Sequence, residues 1–373
     1  MTASRPKEIL ADRPYSDFLP ECDKLEDQVQ RRFGKRLVRL ARSSFIRGVL
    51  AWWIGRDYGF VAIQDRMPGA RWLIFLTAWF GGRNRHKIIL LEFITCPERR
   101  LNELKYAVFL PLVYRPAMRR VLAAAQVMCP VEPEYYSKLF GLPACLFHVI
   151  PLPLLADKPE ERSYRESDNM VFASARGLTD WETLFRAAEG ANWNLHVACP
   201  DLDRKHVDRL NKDGRAVVQS SLPWAEHSRV LAAAAVYALP LAPRPVSCGQ
   251  LRVHDAISAG TPIVCTRVVG LEGYAIPGQT ASVVEVGDHV ALRREIDKLL
   301  SDPELRRTVA VRAREFARTR TRESYARAIR DFVHRVAEDP RGEAISGRLA
   351  SIACAEATSL APTPDAIHGG AEN

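Results

Sequence analysis

Residues 246–264, VSCGQLRVHDAISAGTPIV, set a small polar loop at the mouth of a helical segment. Ser247, Cys248 and Gly249 lead into it, Gly260 ends it, and Pro262 opens a β-rich run. The first N–H groups of a helix lack intrahelical partners, and the helix dipole adds partial positive charge there. That combination suits a phosphate. Gly249 brings no side chain to block an approaching anion. Further along the helix, Asp255 can hydrogen-bond vicinal hydroxyls such as those of a ribose. Together these residues compose a cradle for a nucleoside diphosphate. The alternative is an ordinary strand-loop-helix connection with an exposed Asp255.

The surrounding pattern says what must position such a cradle. From Phe60 onward, short β-like runs alternate with helical stretches. FVAIQ, KIILLEFI, QVMCPV and LFHVIPL read as strands. RWLIFLTAWF, the stretch from Leu101 to Ala125, and EPEYYSKLFG read as helices. PLPLLADKPEERSYRESD is linker-like in its prolines and charge. The alternation then resumes: NMVFASAR, WNLHVAC, AVVQSSL, YALPLA and ASVVEV as strands, and DWETLFRAAEG, with Asp180 as N-cap and Gly190 as its stop, among the helices. WAEHSRVLAAAAV, DHVALRREIDKLL, DPELRRTVAVRAREFAR and RESYARAIRDFVHRVAE are further helices. Such alternation predicts an α/β chain with parallel sheets covered by helices. The domain expectation is a first α/β domain over 1–155, a linker over 156–167, a second α/β domain over 168–320, a helix over 321–338 and a disordered tail over 339–373. No first strand with a glycine loop is evident near the N-terminus. Neither GxGxxG nor a P-loop is present, which weighs against a classical dinucleotide site or a P-loop NTPase.

The 373 residues carry a net charge of +9, 47% hydrophobic and 26% charged residues, enough for two ordinary cores. The eight cysteines form no CxxC and no metal-ligand spacing with histidine, which points to a reducing, cytoplasmic setting. No run is apolar enough to span a membrane, and the N-terminus has no signal core. Between Arg31 and Arg56 stand eight Lys or Arg and no acid. On a helical wheel, Leu37, Leu40, Ala41, Phe45, Val49 and Trp52 share one side, and Lys35, Arg36, Arg39, Arg42 and Arg47 the other. A basic amphipathic helix with an interfacial Trp predicts a peripheral position on an anionic membrane surface. The alternative is a domain helix with a solvated basic face. Nucleic acid is not expected, since no stacking motif accompanies the charge.

Residues 246–264 resemble the donor-site segment of GT-B glycosyltransferases, in particular the retaining, family 4-like group 1 enzymes. DAISAGTPIV matches the second half of that segment, with Asp255 at its second acidic position. SCGQ is close to the SGQ of many relatives, and Ser247 stands where the first acid falls. Downstream, GLEGYAIPGQTASVVEVGDHVALRREIDKLLSDPELRRTVAVRARE is similar to the family's turn, strand and helices. Upstream, RRVLAAAQVMCPVEPEYYSKLFGLPACLFHVIPLPL resembles the end of its first domain. The likeness spans roughly residues 100–335 and is most specific over 246–318.

The resemblance implies two Rossmann-like domains facing across a cleft, an acceptor-side domain over 1–155 and a nucleotide-sugar-binding domain over 168–320, with the helix over 321–338 crossing back to the first. It implies a sugar transferred from a nucleotide-sugar donor to a glycan or lipid-linked acceptor, as in bacterial exopolysaccharide assembly, without a cofactor or metal. It implies that the backbone of Ser247, Cys248, Gly249, Gln250 and Leu251 holds the diphosphate or sugar and that Asp255 holds the ribose. Arg176 would neutralise the leaving diphosphate, and Trp224 would lie against the base. The family's Lys after that Arg has no counterpart, since Asp180 and Trp181 stand there; Arg252 is the substitute cation. Glu92, closing KIILLE, is the acceptor-side candidate for a general base, or else it caps a turn. A retaining mechanism with front-face departure needs no protein base. His86, His148 and His254 have no evident partners and read as structural. Two rivals remain: a nucleotide-sugar epimerase, and a non-catalytic partner of the same fold.

Overall fold

The computed structural model describes residues 9–12, 15–40, 43–82, 86–95, 108–154, 169–174 and 178–339. Two six-stranded parallel sheets carry the chain. The first runs β2-β1-β3-β4-β5-β6, from β1 (Ile9–Ala11), β2 (Asp23–Lys24), β3 (Phe60–Gln64), β4 (Lys87–Leu91), β5 (Leu122–Val127) and β6 (Phe147–Val149). The second comprises β7 (Met170–Ser174), β8 (Asn194–Cys199), β9 (Ala216–Ser220), β10 (Val236–Leu239), β11 (Ile263–Thr266) and β12 (Ser282–Val284), in the order β12-β11-β10-β7-β8-β9. Strand order reverses between β7 and β10, which pair directly. In doubly wound sheets, ligands bind beyond the strand ends at such a point.

Three departures from the sequence pattern have physical causes. The stretch expected to stay helical to Ala125 turns into strand at Leu122, after α4 (Arg115–Val121). β5 lies between β4 and β6, and Ala123, Ala124 and Ala125 are buried there. Helices on both faces leave room only for small side chains, so packing overrides the helix preference of alanine. The expected basic amphipathic helix is two helices: α1 (Leu25–Leu40), broken at Gly34 with φ 76°, and α2 (Ser44–Gly55). The side chains of residues 35–42, hence most of that basic face, lie outside the described residues. The apolar side of α2 is also turned: Leu50, Ala51 and Ile54 are buried, while Phe45 is exposed and Trp52 half-buried. Finally β1, unrecognised in the sequence because it is three residues long, pairs with β3 in the sheet interior.

α3 (Ala70–Phe80) buries Leu73, Ile74 and Ala78, each large aliphatic worth about 1.5–3 kcal/mol when fully buried. It crosses α2 at a glycine contact: a Cβ on Gly48 would lie 2.5 Å from the Trp72 Cβ. That approach lays Phe45 edge-on to Trp72, centroids 4.9 Å apart.

Across the second sheet run α6 (Trp181–Ala188), α7 (Asp201–Leu210), α8 (Trp224–Ala233), α9 (Gln250–Ala259), α10 (His289–Ser301) and α11 (Pro303–Ala317); α5 (Glu132–Phe140) and α12 (Arg322–Glu338) belong with the first. Asp180 caps α6, accepting from the Thr183 amide at 3.0 Å. WAEHSRVLAAAAV is helical only to Ala233, and its last Val236 opens β10. α12 packs on the first domain: Phe332 meets His148, and Arg330 donates to the Phe18 carbonyl. One core cluster joins both domains, including Met128, Leu152 and Phe332 from the first and Tyr274 from the second. The linker expected over 156–167 and the tail from 340 lie outside the described residues.

Candidate functional site

At the reversal point, the ends of β7, β8 and β9 and the starts of α8 and α9 enclose a pocket of about 280 Å³. Ser174 ends β7 at its base. Cys199, Pro200 and Ser221 form one wall, and Trp224, His227 and Arg252 the other. Ser221 is held at φ 51°, a left-handed conformation that costs a non-glycine residue strain and gathers at functional sites.

A polar chain organises the wall. The Arg252 Nη1 donates to Asp255 Oδ2 and contacts His227 Nε2, both at 3.0 Å. A guanidinium has no acceptor, so His227 Nε2 carries the lone pair and Nδ1 the proton. The Ser174 hydroxyl lies 2.7 Å from the same Nε2 and 2.9 Å from the Tyr237 hydroxyl, and Tyr237 in turn donates to the Ser174 carbonyl at 2.7 Å. Burial raises the Tyr237 pKa to about 12, which keeps it a hydrogen-bond donor. Trp224, 58% exposed, stacks on His227 at 5.7 Å with planes 14° apart. An exposed indole face over a pocket mouth is a platform for a planar base.

The loop before α9 opens that helix, but residues 246–251 are not among those that line the pocket. Gly249 is the left-handed N-cap, φ 80°. A Cβ there would come 2.6 Å from Leu241 Cδ1, so core packing on β10 as well as backbone conformation requires the glycine. Ser247 is buried and its amide donates to Glu132 Oε1, across from the first domain, at 2.7 Å. Gln250 is buried, and its side chain turns inward to the Gly270 carbonyl at 2.6 Å. Cys248 is half-buried, and Leu251 is 61% exposed on the first turn. Asp255 does not line the pocket; its nearly buried carboxylate holds Arg252, which does. Arg176 lies outside the described residues. The sequence reading missed Ser174, Cys199 and His227, while Ser221 falls within the segment Ser220 to Trp224 that the resemblance placed at the base. For His227 a signal existed: it follows Trp224 by one helical turn, which puts both rings on one face.

On the first sheet, Glu92 follows β4 with φ 47°, again left-handed. Tyr15 donates to its Oε1 at 2.6 Å and Gln64 to its Oε2 at 2.7 Å, while its amide donates to Gln126. The Tyr15 hydroxyl also lies 3.2 Å from Tyr325 on α12, so the crossing helix touches this acid's partner. Asp12 follows β1 and Asp65 follows β3. Desolvation raises Asp12 well above the usual carboxylate range and Asp65 to about 6. Three acids thus stand at the carboxyl ends of three adjacent strands. His86, His148 and His254 each have protein neighbours: Thr77, Phe332 and the Pro153 carbonyl. Among the described residues no cluster of His, Cys, Asp or Glu is arranged to hold a metal.

Residues 177–302 match the family model described as glycosyl transferases group 1. No curated protein sequence matches the chain. Among solved structures, HepE of Anabaena in complex with UDP-glucose is similar with a TM-score of 0.63 at 15% identity, over 88% of this chain and 99% of that one. Sucrose-phosphate synthase from Thermosynechococcus elongatus is similar with a TM-score of 0.60 at 16% identity, over 78% and 77%. WaaG, a glycosyltransferase involved in lipopolysaccharide biosynthesis, gives 0.56 at 14% identity over 87% and 99%. The architecture is GT-B, and residues 177–302, within its second half, are similar to group 1 glycosyltransferases.

Proposed function

We propose that the protein transfers a glycosyl group from a nucleoside-diphosphate sugar to a hydroxyl acceptor held at the carboxyl edge of the first sheet. The observation that carries this reading is the reversal-point pocket, where Arg252 and Trp224 flank the mouth of α9. The base stacks on Trp224. The diphosphate takes the Arg252 guanidinium and the main-chain amides opening α9, with Arg176 as a second cation. Asp255 orients Arg252 from behind the pocket wall and does not itself touch the donor. UDP and UDP-glucose, bound by HepE, are the first donors to try.

Transfer breaks the bond from the anomeric carbon to the diphosphate oxygen, whose electron pair leaves with the nucleoside diphosphate. The acceptor oxygen bonds to that carbon. In the retaining, front-face course, the acceptor proton passes to the departing phosphate oxygen. Arg252 stabilises the charge that develops there. Glu92, fixed by Tyr15 and Gln64, orients the acceptor hydroxyl.

The acceptor we infer is a glycan built at an anionic membrane surface. α3 is apolar on both sides. Its core side is buried, while Trp72, Trp79 and Phe80 are 40–62% exposed on the other and Phe75 is half-buried between them. α3 contains no acid. Arg56 lies over Trp53 at 5.1 Å and Arg120 over Trp79 at 4.4 Å. Trp with Arg at its rim is the composition of a lipid-water boundary. No helix among the described residues is long and apolar enough to cross a membrane. The test pairs donor turnover with co-sedimentation. The full chain is incubated with UDP-, GDP- and ADP-sugars, and donor hydrolysis is followed; binding without turnover of any donor would favour the non-catalytic partner. Vesicles with anionic lipid should pellet the wild type but not a Trp72→Ser, Trp79→Ser variant. Equal pelleting would remove the membrane surface.

A further inference from the structure

The loop that opens α9 is anchored in the opposite domain. Val246 is fully buried within the core cluster of the first domain, beside residues of β3, β4 and β5. The next residue, Ser247, donates its amide to Glu132 Oε1 at 2.7 Å. The other oxygen of Glu132 accepts from the Met128 and Cys129 amides at 2.7 and 3.0 Å, closing the turn that leads into α5. Glu132 is fully buried, so one carboxylate satisfies three backbone donors from two domains with no water between. Nearby, Tyr274 of the second domain receives the Leu152 amide at 2.7 Å and donates to the Met128 carbonyl at 3.2 Å. The Met128–Glu132 turn is therefore pinned to the second domain at two points.

We propose that Glu132 is a positioning residue for donor binding: from the acceptor-side domain it sets the backbone of the loop that cradles the diphosphate. Its interdomain bond forms only when the domains are seated as they are here. Loop geometry and domain seating therefore become one equilibrium, and a ligand that needs the ordered loop draws the domains together. This rests on the donor reading of the α9 loop. It also explains how a chain with Ser247 at the family's first acidic position still has a carboxylate at that amide. The carboxylate comes from a different element and acts through the main chain, not by touching substrate.

Glu132→Asp and Glu132→Ala separate the two duties of this side chain. Aspartate is one methylene shorter. It still reaches the Met128 and Cys129 amides of its own turn but falls short of Ser247. Hydrogen exchange of the unliganded full chain reads the interdomain bond directly. In Glu132→Asp, the segment 246–249 should exchange about tenfold faster or more, with the turn that leads into α5 still protected. The dissociation constant for UDP, measured by calorimetry, should rise by about the same factor. Glu132→Ala should add loss of the turn before α5; if it fails to fold, Glu132→Asp alone decides. Wild-type exchange at 246–249 in Glu132→Asp overturns the proposal, as does faster exchange with unchanged UDP affinity. If the wild type binds no UDP, the donor reading fails, while the exchange result still reports whether Glu132 holds the loop.

Discussion

The two sheets present opposite chemistry at their carboxyl ends. The second offers amides, hydroxyls and a guanidinium: Ser174, the start of α9 and Arg252. The first places acids there: Asp65 and Glu92, half-buried after β3 and β4, with Asp12 fully buried after β1. One edge is dressed for a polyanion, the other for hydroxyl groups. Both are the same parallel α/β layer, so the fold supplies the place, and a few residues at strand ends supply the chemistry. Strain follows the same division of labour. Ser221 and Glu92 are left-handed non-glycine residues, one at each edge.

The contrast can be broken first at the acid edge. Glu92→Gln should chiefly raise the acceptor KM, since the acceptor proton leaves with the phosphate oxygen; a kcat loss of about 10²- to 10⁴-fold would instead make the carboxylate a general base. A fall in donor affinity in this variant would instead dissolve the separation between edges. At the other edge, Arg252→Ala should lower kcat/KM for donor about 10²- to 10³-fold, with Arg252→Lys recovering part through charge alone. Unchanged turnover would leave the diphosphate charge to other residues. Trp224→Ala should raise the UDP dissociation constant about 5- to 100-fold, the range for loss of one base-aromatic stack. Its thermal midpoint should hold, since the indole is mostly exposed. Equal donor affinity would place the base elsewhere.

The smallest effect concerns pH. Burial lowers His86 from 6.5 to about 4, so the folded state keeps it neutral while the unfolded chain takes up a proton. Its folded pKa being depressed, it costs no stability above pH 6.5. From there stability falls, by about 1.4 kcal/mol per pH unit, until the folded pKa near 4. Denaturant unfolding of His86→Asn should show a shallower acid loss than wild type over that window; parallel curves would refute it. The effect belongs to the first domain's core at Thr77 and should leave donor affinity untouched.

What could be read from the sequence divides along the same line. The second domain was legible because its strands are short apolar runs between capped helices. Asp180 and Gly190 bracket α6 as expected, and Gly249 and Gly260 bracket α9. The first domain was harder. β1 is three residues long and gains its stability from pairing on both sides, which no local pattern reports. Ala123 to Ala125 carry a helical preference that burial between two helix layers overrules. The exposed side of α3 could not be told from its core side, because both are apolar. Site residues were legible where the main chain dictates them and hidden where tertiary contact does. The loop before α9 announced itself, whereas Glu132 and Ser174 act through partners 115 and 53 residues away.

A crystal structure of the full chain soaked with UDP tests the account most directly. It should show uracil against Trp224 and the diphosphate between Arg252 and the amides that begin α9. Nucleotide bound anywhere else, or this pocket still empty at saturating UDP, would contradict it.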